Sequence, residues 1–215
     1  MFGLFKRASN GAASPSLDSI RFDTAGYAPQ GEPTPDKLRV WQTPDGDGLG
    51  VYFFAAPPDL PADAESDEEL VAFYRRLLGE AGGKLVEARV VGAGGDPAVR
   101  TVLSMPQPPS GRTAVGSLTV PFRDFSFVFK CQCAEHGTTG LKAALLFERS
   151  RAANEPMTIE SGRFPIPGFD VDDAKYDAEF PHDPVARARQ VLDHLASTLV
   201  VAAEVRRLPR FALPL

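Results

Sequence analysis

The sequence predicts an α+β protein, a mainly antiparallel β-sheet flanked by helices (an α/β/α sandwich) with a long C-terminal helix. Three observations carry this prediction. Between residues 84 and 133, apolar runs alternate at period two and are separated by glycine- and proline-rich connections. Ahead of them, Ser66 followed by Asp67, Glu68 and Glu69 opens a stretch of helical period. After them, Asp183-Pro184 opens a longer one.

Size and composition set the frame for these elements. A chain of 215 residues is long enough to bury roughly 70% of its extended-chain surface without staples. Residues 1–17 are read as a flexible lead-in, because ASNGAASPSL is small and polar, and residues 18–215 as a single α+β domain. Phe2, Leu4 and Phe5 then belong to a frayed terminus. The net charge of -5 disfavours a nucleic-acid partner held through a broad basic face. No apolar run approaches the ~18 residues of a membrane span. MFGLFKR lacks the sustained apolar stretch of a secretory signal, so cytoplasmic residence is the expectation.

Taken in order, Ser19 to Asp23 forms a first extended segment, which a glycine and proline cluster from Gly26 to Pro35 breaks. Lys37 to Thr43 and Leu49 to Ala55 pair as a hairpin, because the intervening PDGDG supplies positive-φ turn residues. The helix from Ser66 runs to about Ala81 and stops at Gly82-Gly83. It turns Leu70, Val71, Tyr74, Leu77, Leu78 and Ala81 inward, with Arg75, Arg76 and Glu80 in water. Strands Lys84 to Val91 and Ala98 to Met105 flank a glycine-rich connection that precedes a strand, not a helix, and so lacks the setting of a phosphate loop. Thr113 to Val120 and Phe122 to Cys133 follow, and on the latter Phe125, Phe127, Phe129, Cys131 and Cys133 share one face. A helix capped by Thr138 or Thr139 buries Leu141, Ala144, Leu145 and Phe147, with Pro156 as its outer limit. Residues 155–183 are read as an ordered acidic wrap with a solvated acidic surface. The C-terminal helix spans 184–207, capped by Asp183, with Val185, Ala188, Leu192, Leu195, Leu199 and Ala203 buried and Arg206, Arg207 and Arg210 at its C-terminal end.

The hairpin RVWQTPDGDGLGVYFF, the helix DEELVAFYRRLLGEAGG and the strands through FSFVFKCQC together resemble the PsbP and DcrB type of fold, over about residues 19 to 150. The resemblance implies an antiparallel sheet between helices and a binding or accessory role. It transfers no functional residue. The acidic wrap and the terminal helix depart from the compact pattern.

Chemistry concentrates after the phenylalanine strand. Cys131, Cys133 and His136 are three soft-metal ligands within six residues, but zinc favours C-x2-C pairs and four ligands, and the strand register puts both thiols in the core row. Their spacing is also poor for a disulfide, with Cα atoms ~6.6 Å apart and parallel side chains. The turn Glu135, His136, Thr138, Thr139 offers an imidazole, two hydroxyls and free N–H groups at a helix start, the setting of an anion site. The run from Asp170 to Glu179 has Lys175 and Pro181 where a calcium loop needs glycine and a bidentate acid. No cofactor is expected.

These readings favour a non-catalytic binding or accessory protein that engages a protein partner through the C-terminal helix, the acidic wrap or the tail Phe211 to Leu215. The alternative is a small hydrolase or a metal- or thiol-dependent enzyme centred on Cys131, Cys133, His136 and Thr138.

Overall fold

The computed structural model describes residues 14–34, 38–61, 66–79, 82–152 and 170–213. Its strands are β1 (Ile20–Arg21), β2 (Ala28–Thr34), β3 (Leu38–Gln42), β4 (Gly48–Phe54), β5 (Lys84–Ala93), β6 (Asp96–Pro106), β7 (Arg112–Pro121), β8 (Ser126–Ala134) and β9 (Val200–Val201). Its helices are α1 (Asp67–Leu78), α2 (Leu141–Ala152), α3 (Pro184–Thr198) and the short α4 (Ala203–Arg206). Strands β2 to β8 form one antiparallel sheet in the order β2-β3-β4-β8-β7-β6-β5, while β1 and β9 pair as a small second sheet. The expected α+β layout therefore holds.

Strand β8 lies at the centre of the large sheet and divides it into two faces. On the inner face Phe127, Phe129, Cys131 and Cys133 are fully buried together with Leu49, Val51, Leu118 and Val102, and α3 covers them with Val185, Ala188, Leu192 and Leu195. Close approach of α3 depends on Gly116 of β7, because a Cβ there would sit 2.7 Å from Cys131 Sγ and 3.1 Å from Leu192 Cδ1. On the outer face α1 packs Leu70, Val71 and Tyr74 against Leu85, Ala88, Val90 and Val99 of β5 and β6. Ser66 caps α1 by accepting from Glu69 N–H, as the acidic first turn predicts.

Several boundaries differ from the sequence reading, each for a physical reason. The Gly26 to Pro35 cluster is not a break: Ala28–Thr34 pairs with β3 as an edge strand with a register shift, where proline is tolerated. Leu17, read as the end of the lead-in, is a core residue. Helix α1 stops at Gly79, whose φ is 40°, and Leu77 is 58% exposed while Phe73 is half-buried in its place. Ala81 lies outside the described residues. The glycine-rich connection after β5 shrinks to a two-residue turn, Gly94-Gly95, with φ of 60° and 82°. Gly94 also needs to lack a side chain, because a Cβ would lie 2.2 Å from the Leu199 carbonyl oxygen at the end of α3.

Strand β8 begins at Ser126, since Phe122 N–H donates to the Phe125 carbonyl and makes Phe122 to Phe125 a turn, with the two rings stacked at 4.3 Å. The inward face of α2 is shifted from the expected one: Lys142, Leu146 and Ser150 are buried, whereas Leu141 and Leu145 are 51% and 48% exposed. Ala144 is exposed as well. The long C-terminal helix ends at Thr198. The β-branched residues Val200 and Val201 lie beyond the helix, and Val201 pairs with Ile20 across β1 and β9. Ala203, expected inward, is exposed. Arg206 and Arg210 do not sit at the C-terminus of the long helix, Arg206 closing α4 instead; both reach Asp96 at the start of β6, Arg206 at 3.2 Å and Arg210 at 2.7 Å.

Candidate functional site

The turn after β8 is built around Glu135. Its carboxylate accepts from Gly140 N–H at 2.8 Å and from Arg112 N–H at 3.0 Å, so both oxygens serve the backbone and neither is free as a base. This carboxylate, not a threonine hydroxyl, anchors the entry to α2. Thr139 stays on the Gly111 side of Glu135, its Oγ1 3.5 Å from Ser110 Oγ. His136 and Thr138 line a cavity of about 230 Å³ with Lys142, His182 and Asp183. Lys142 is buried there, with Nζ 3.3 Å from Asp183 Oδ1. Asp183 in turn caps α3 by accepting from Val185 N–H at 3.1 Å and receives Arg112 at 2.6 Å. The cavity thus lies where β8, α2 and the start of α3 are tied together.

The two cysteines are fully buried free thiols on the inner face. Cys131 lies 3.9 Å from the Ala188 carbonyl, which its thiol approaches as a weak donor. Cys131 beside it, then burial, then Asp47, push the Cys133 thiol up, which keeps it protonated. His136 is exposed, so it does not join the thiols. Among the described residues no group of three or more His, Cys, Asp or Glu side chains is placed to hold a metal ion. Asp47, read as turn chemistry, also has a second role: its buried carboxylate faces Arg187 Nε at 3.1 Å, in contact but not aligned as a hydrogen bond. Burial pushes the Asp47 carboxyl up, and Arg187 opposes that shift.

The acids of 170–179 are ion-paired; Asp170 and Glu179 stay on the solvated surface that was expected, while Asp172 is buried. Asp172 is buried against Arg112 and Lys84, Asp177 meets Arg189 at 3.0 Å, and Glu179 meets Arg149 at 2.6 Å. Burial raises the Asp172 carboxyl, yet Arg112 and Lys84 outweigh it and hold the group below the usual carboxylate range. The earlier part of the wrap, including Phe164, Ile166 and Phe169, lies outside the described residues.

A larger depression opens on the outer face of the sheet. This groove, about 410 Å³, has its floor on β6, β7 and β8 and its walls in the connection after β4 and in Tyr74 of α1. The floor carries Thr101, Ser117, Thr119 and Ser126 among Leu103, Val115 and Val128, and Phe54 stands at the rim. Thr101 and Ser126 are 4% and 3% exposed, and both line the groove. Burial and then Asp59 push the Tyr74 hydroxyl up to about 12. Period two puts Ser126, Val128 and Lys130 on the face opposite the phenylalanine row, where a serine is ordinary. The signals that could have singled out the groove were Tyr52, Phe54 and Val128 on the same face and a lysine, Lys130, on the central strand.

No family model matches the chain, and no curated protein matches it. Solved structures with a similar layout are remote in sequence. The Ran-binding protein Mog1p of Saccharomyces cerevisiae is similar over 85% of this chain and 90% of that one, at 13% identity and a TM-score of 0.46. The cyanobacterial PsbP of Synechocystis sp. PCC 6803 is similar over 88% and 90%, at 11% identity and a TM-score of 0.41. A Pseudomonas aeruginosa protein of unknown function, described as a putative regulator, follows at 13% identity and 0.32, over 70% and 88%. The PsbP-type resemblance has counterparts among solved structures, and likeness at these scores reaches no further than the layout.

Proposed function

We propose that the chain is a non-catalytic accessory or binding protein that seats a segment of a protein partner in the outer-face groove. The observation that supports this reading is the groove itself: about 410 Å³ of mostly apolar concavity, floored by Thr101, Ser117, Thr119 and Ser126 among apolar side chains. The surfaces first nominated for a partner serve the chain's own fold. The inner side of α3 is core, the acids of 170–179 are ion-paired, and Leu213 of the tail packs on the α1 cluster.

The test is selection of a displayed random peptide library on the wild-type chain, with counter-selection on Ser117→Trp, which fills the groove floor. Peptides that bind the wild type and lose about ten-fold or more affinity for the variant by titration calorimetry support the proposal. Peptides that bind both alike, or no enrichment at all, overturn it.

A further inference from the structure

Resting on the groove reading above, we infer that the seated segment is apolar with an acidic side chain, whose carboxylate is received by Lys130, Ser117 and Thr101. These three residues form one row across the sheet: Thr101 of β6 stands opposite Ser117 of β7, and Ser117 opposite Lys130 of β8. Side chains directly opposite on neighbouring strands are about 5 Å apart at Cβ, so the row sets Lys130 beside Ser117, with Thr101 one strand further on.

Lys130 is set apart from the other described lysines. Lys84, Lys142 and Lys175 each have a carboxylate within 3.3 Å. Among the described residues Lys130 has none, and its Nζ lies 6.0 Å from the Tyr52 ring. The Lys130 ammonium is exposed on the central strand beside the half-buried Ser117 of the groove floor, and the described chain sets no carboxylate against it.

The surroundings fix where the acid and the apolar groups go. Next to Lys130 on β4 is Gly50, over which the Tyr52 ring folds, since a Cβ on Gly50 would meet that ring at 2.9 Å. The far wall holds Asp59, Leu60 and Tyr74. Asp59 repels a second acid there and leaves that end to an apolar side chain. At the rim of the cavity, the Phe54 ring is 46% exposed and stacks on Tyr52, which lies outside the lining, at 6.0 Å. This aromatic surface continues the groove past the volume that a free small acid would fill, and a chain segment covers both.

The test uses immobilised nonapeptides of leucine, phenylalanine and serine in matched sets with a central Glu, Gln or Lys. They are probed with the wild-type chain, Lys130→Gln, Thr101→Val and Ser117→Trp, after melting curves show that each variant is folded. The wild type is expected to hold the Glu set about ten-fold more tightly than the Gln set and to reject the Lys set, the weight of one charge-assisted contact. Lys130→Gln is expected to bind Glu and Gln sets alike, and Thr101→Val to narrow the preference. Equal wild-type binding of Glu and Gln sets, sensitive to Ser117→Trp, overturns this inference and leaves the groove reading standing. Absence of binding to every set, or binding untouched by Ser117→Trp, removes both.

Discussion

At the scale of single residues, the thiols and the glycine opposite them give the sharpest expectations. Cys131 and Cys133 are sealed under the phenylalanine row, and Cys133 is held protonated, so neither is a nucleophile in the native state. A chromogenic disulfide reagent should find no reactive thiol in the native chain and two after unfolding in guanidinium. A titration near two under native conditions would show that the inner face opens. Gly116→Ala places a methyl 2.7 Å from Cys131 Sγ with Leu192 closing the other side. Neither neighbour is the end of a long flexible side chain. Overpacking of this kind costs about 1–3 kcal/mol, read as a lower urea midpoint with an unchanged slope. A Cys131→Ala change in the same chain should recover part of the loss, because it removes the sulfur that the methyl meets.

At the scale of elements, the described part of the acidic segment is a set of clasps, and its behaviour in acid follows. Asp172 joins Arg112 of β7 and Lys84 of β5 from a buried position. A carboxyl held below its unfolded value, near 3.9, stabilises the fold at every pH above that value and loses the contribution as pH falls through the folded value. The wild type should therefore lose stability more steeply than Asp172→Asn on acidification below about pH 4. At neutral pH the Asn variant should be about 3 kcal/mol less stable by denaturant titration, the lower part of the range for breaking a buried ion pair, since Arg112 keeps Asp183 and Lys84 keeps Asp170. The same clasps explain what the sequence showed and what it hid. Strand β8 was legible because Phe127, Phe129, Cys131 and Cys133 recur at period two within one element. The buried face of α2 was not, because Lys142 is inward only by virtue of Asp183, some forty residues on. Asp172 and Asp177 read as solvated because their partners come from β5, β7 and α3. At the candidate site, the turn 135–140 was found, but the commitment of Glu135 to two backbone N–H groups depends on the β7–β8 register. The groove stayed hidden because its hydroxyls occupy positions where period-two strands normally meet water.

At the scale of the whole molecule, the segment after α3 ties both faces of the sheet together, and this link can be loosened separately from the core. Strand β9 pairs with β1, Arg206 and Arg210 converge on Asp96 at the β5–β6 turn, and Leu213 reaches the α1 cluster on the opposite face. Arg210 is the hub of this crossing. Its guanidinium lies 4.0 Å from the Phe122 ring centroid, and its backbone bridges Phe122 while Arg123 N–H donates to the Pro209 carbonyl at 3.0 Å. Burial lowers the proton affinity of Arg210, and Asp96 opposes that shift. Arginine remains charged at any ordinary pH, so the clasp should persist across the neutral range. Arg210→Ala removes the cation over the ring and one of two cationic partners of a buried carboxylate, a loss of about 2 kcal/mol. The larger consequence is local. In native-state hydrogen exchange, the amides of Arg123 and of Val201 should lose protection in the variant well before those of Phe127 and Phe129, which exchange only when the central sheet opens. Uniform loss of protection across β8 would instead mean that the crossing and the sheet unfold as one unit, and that this C-terminal segment belongs to the core that it encircles.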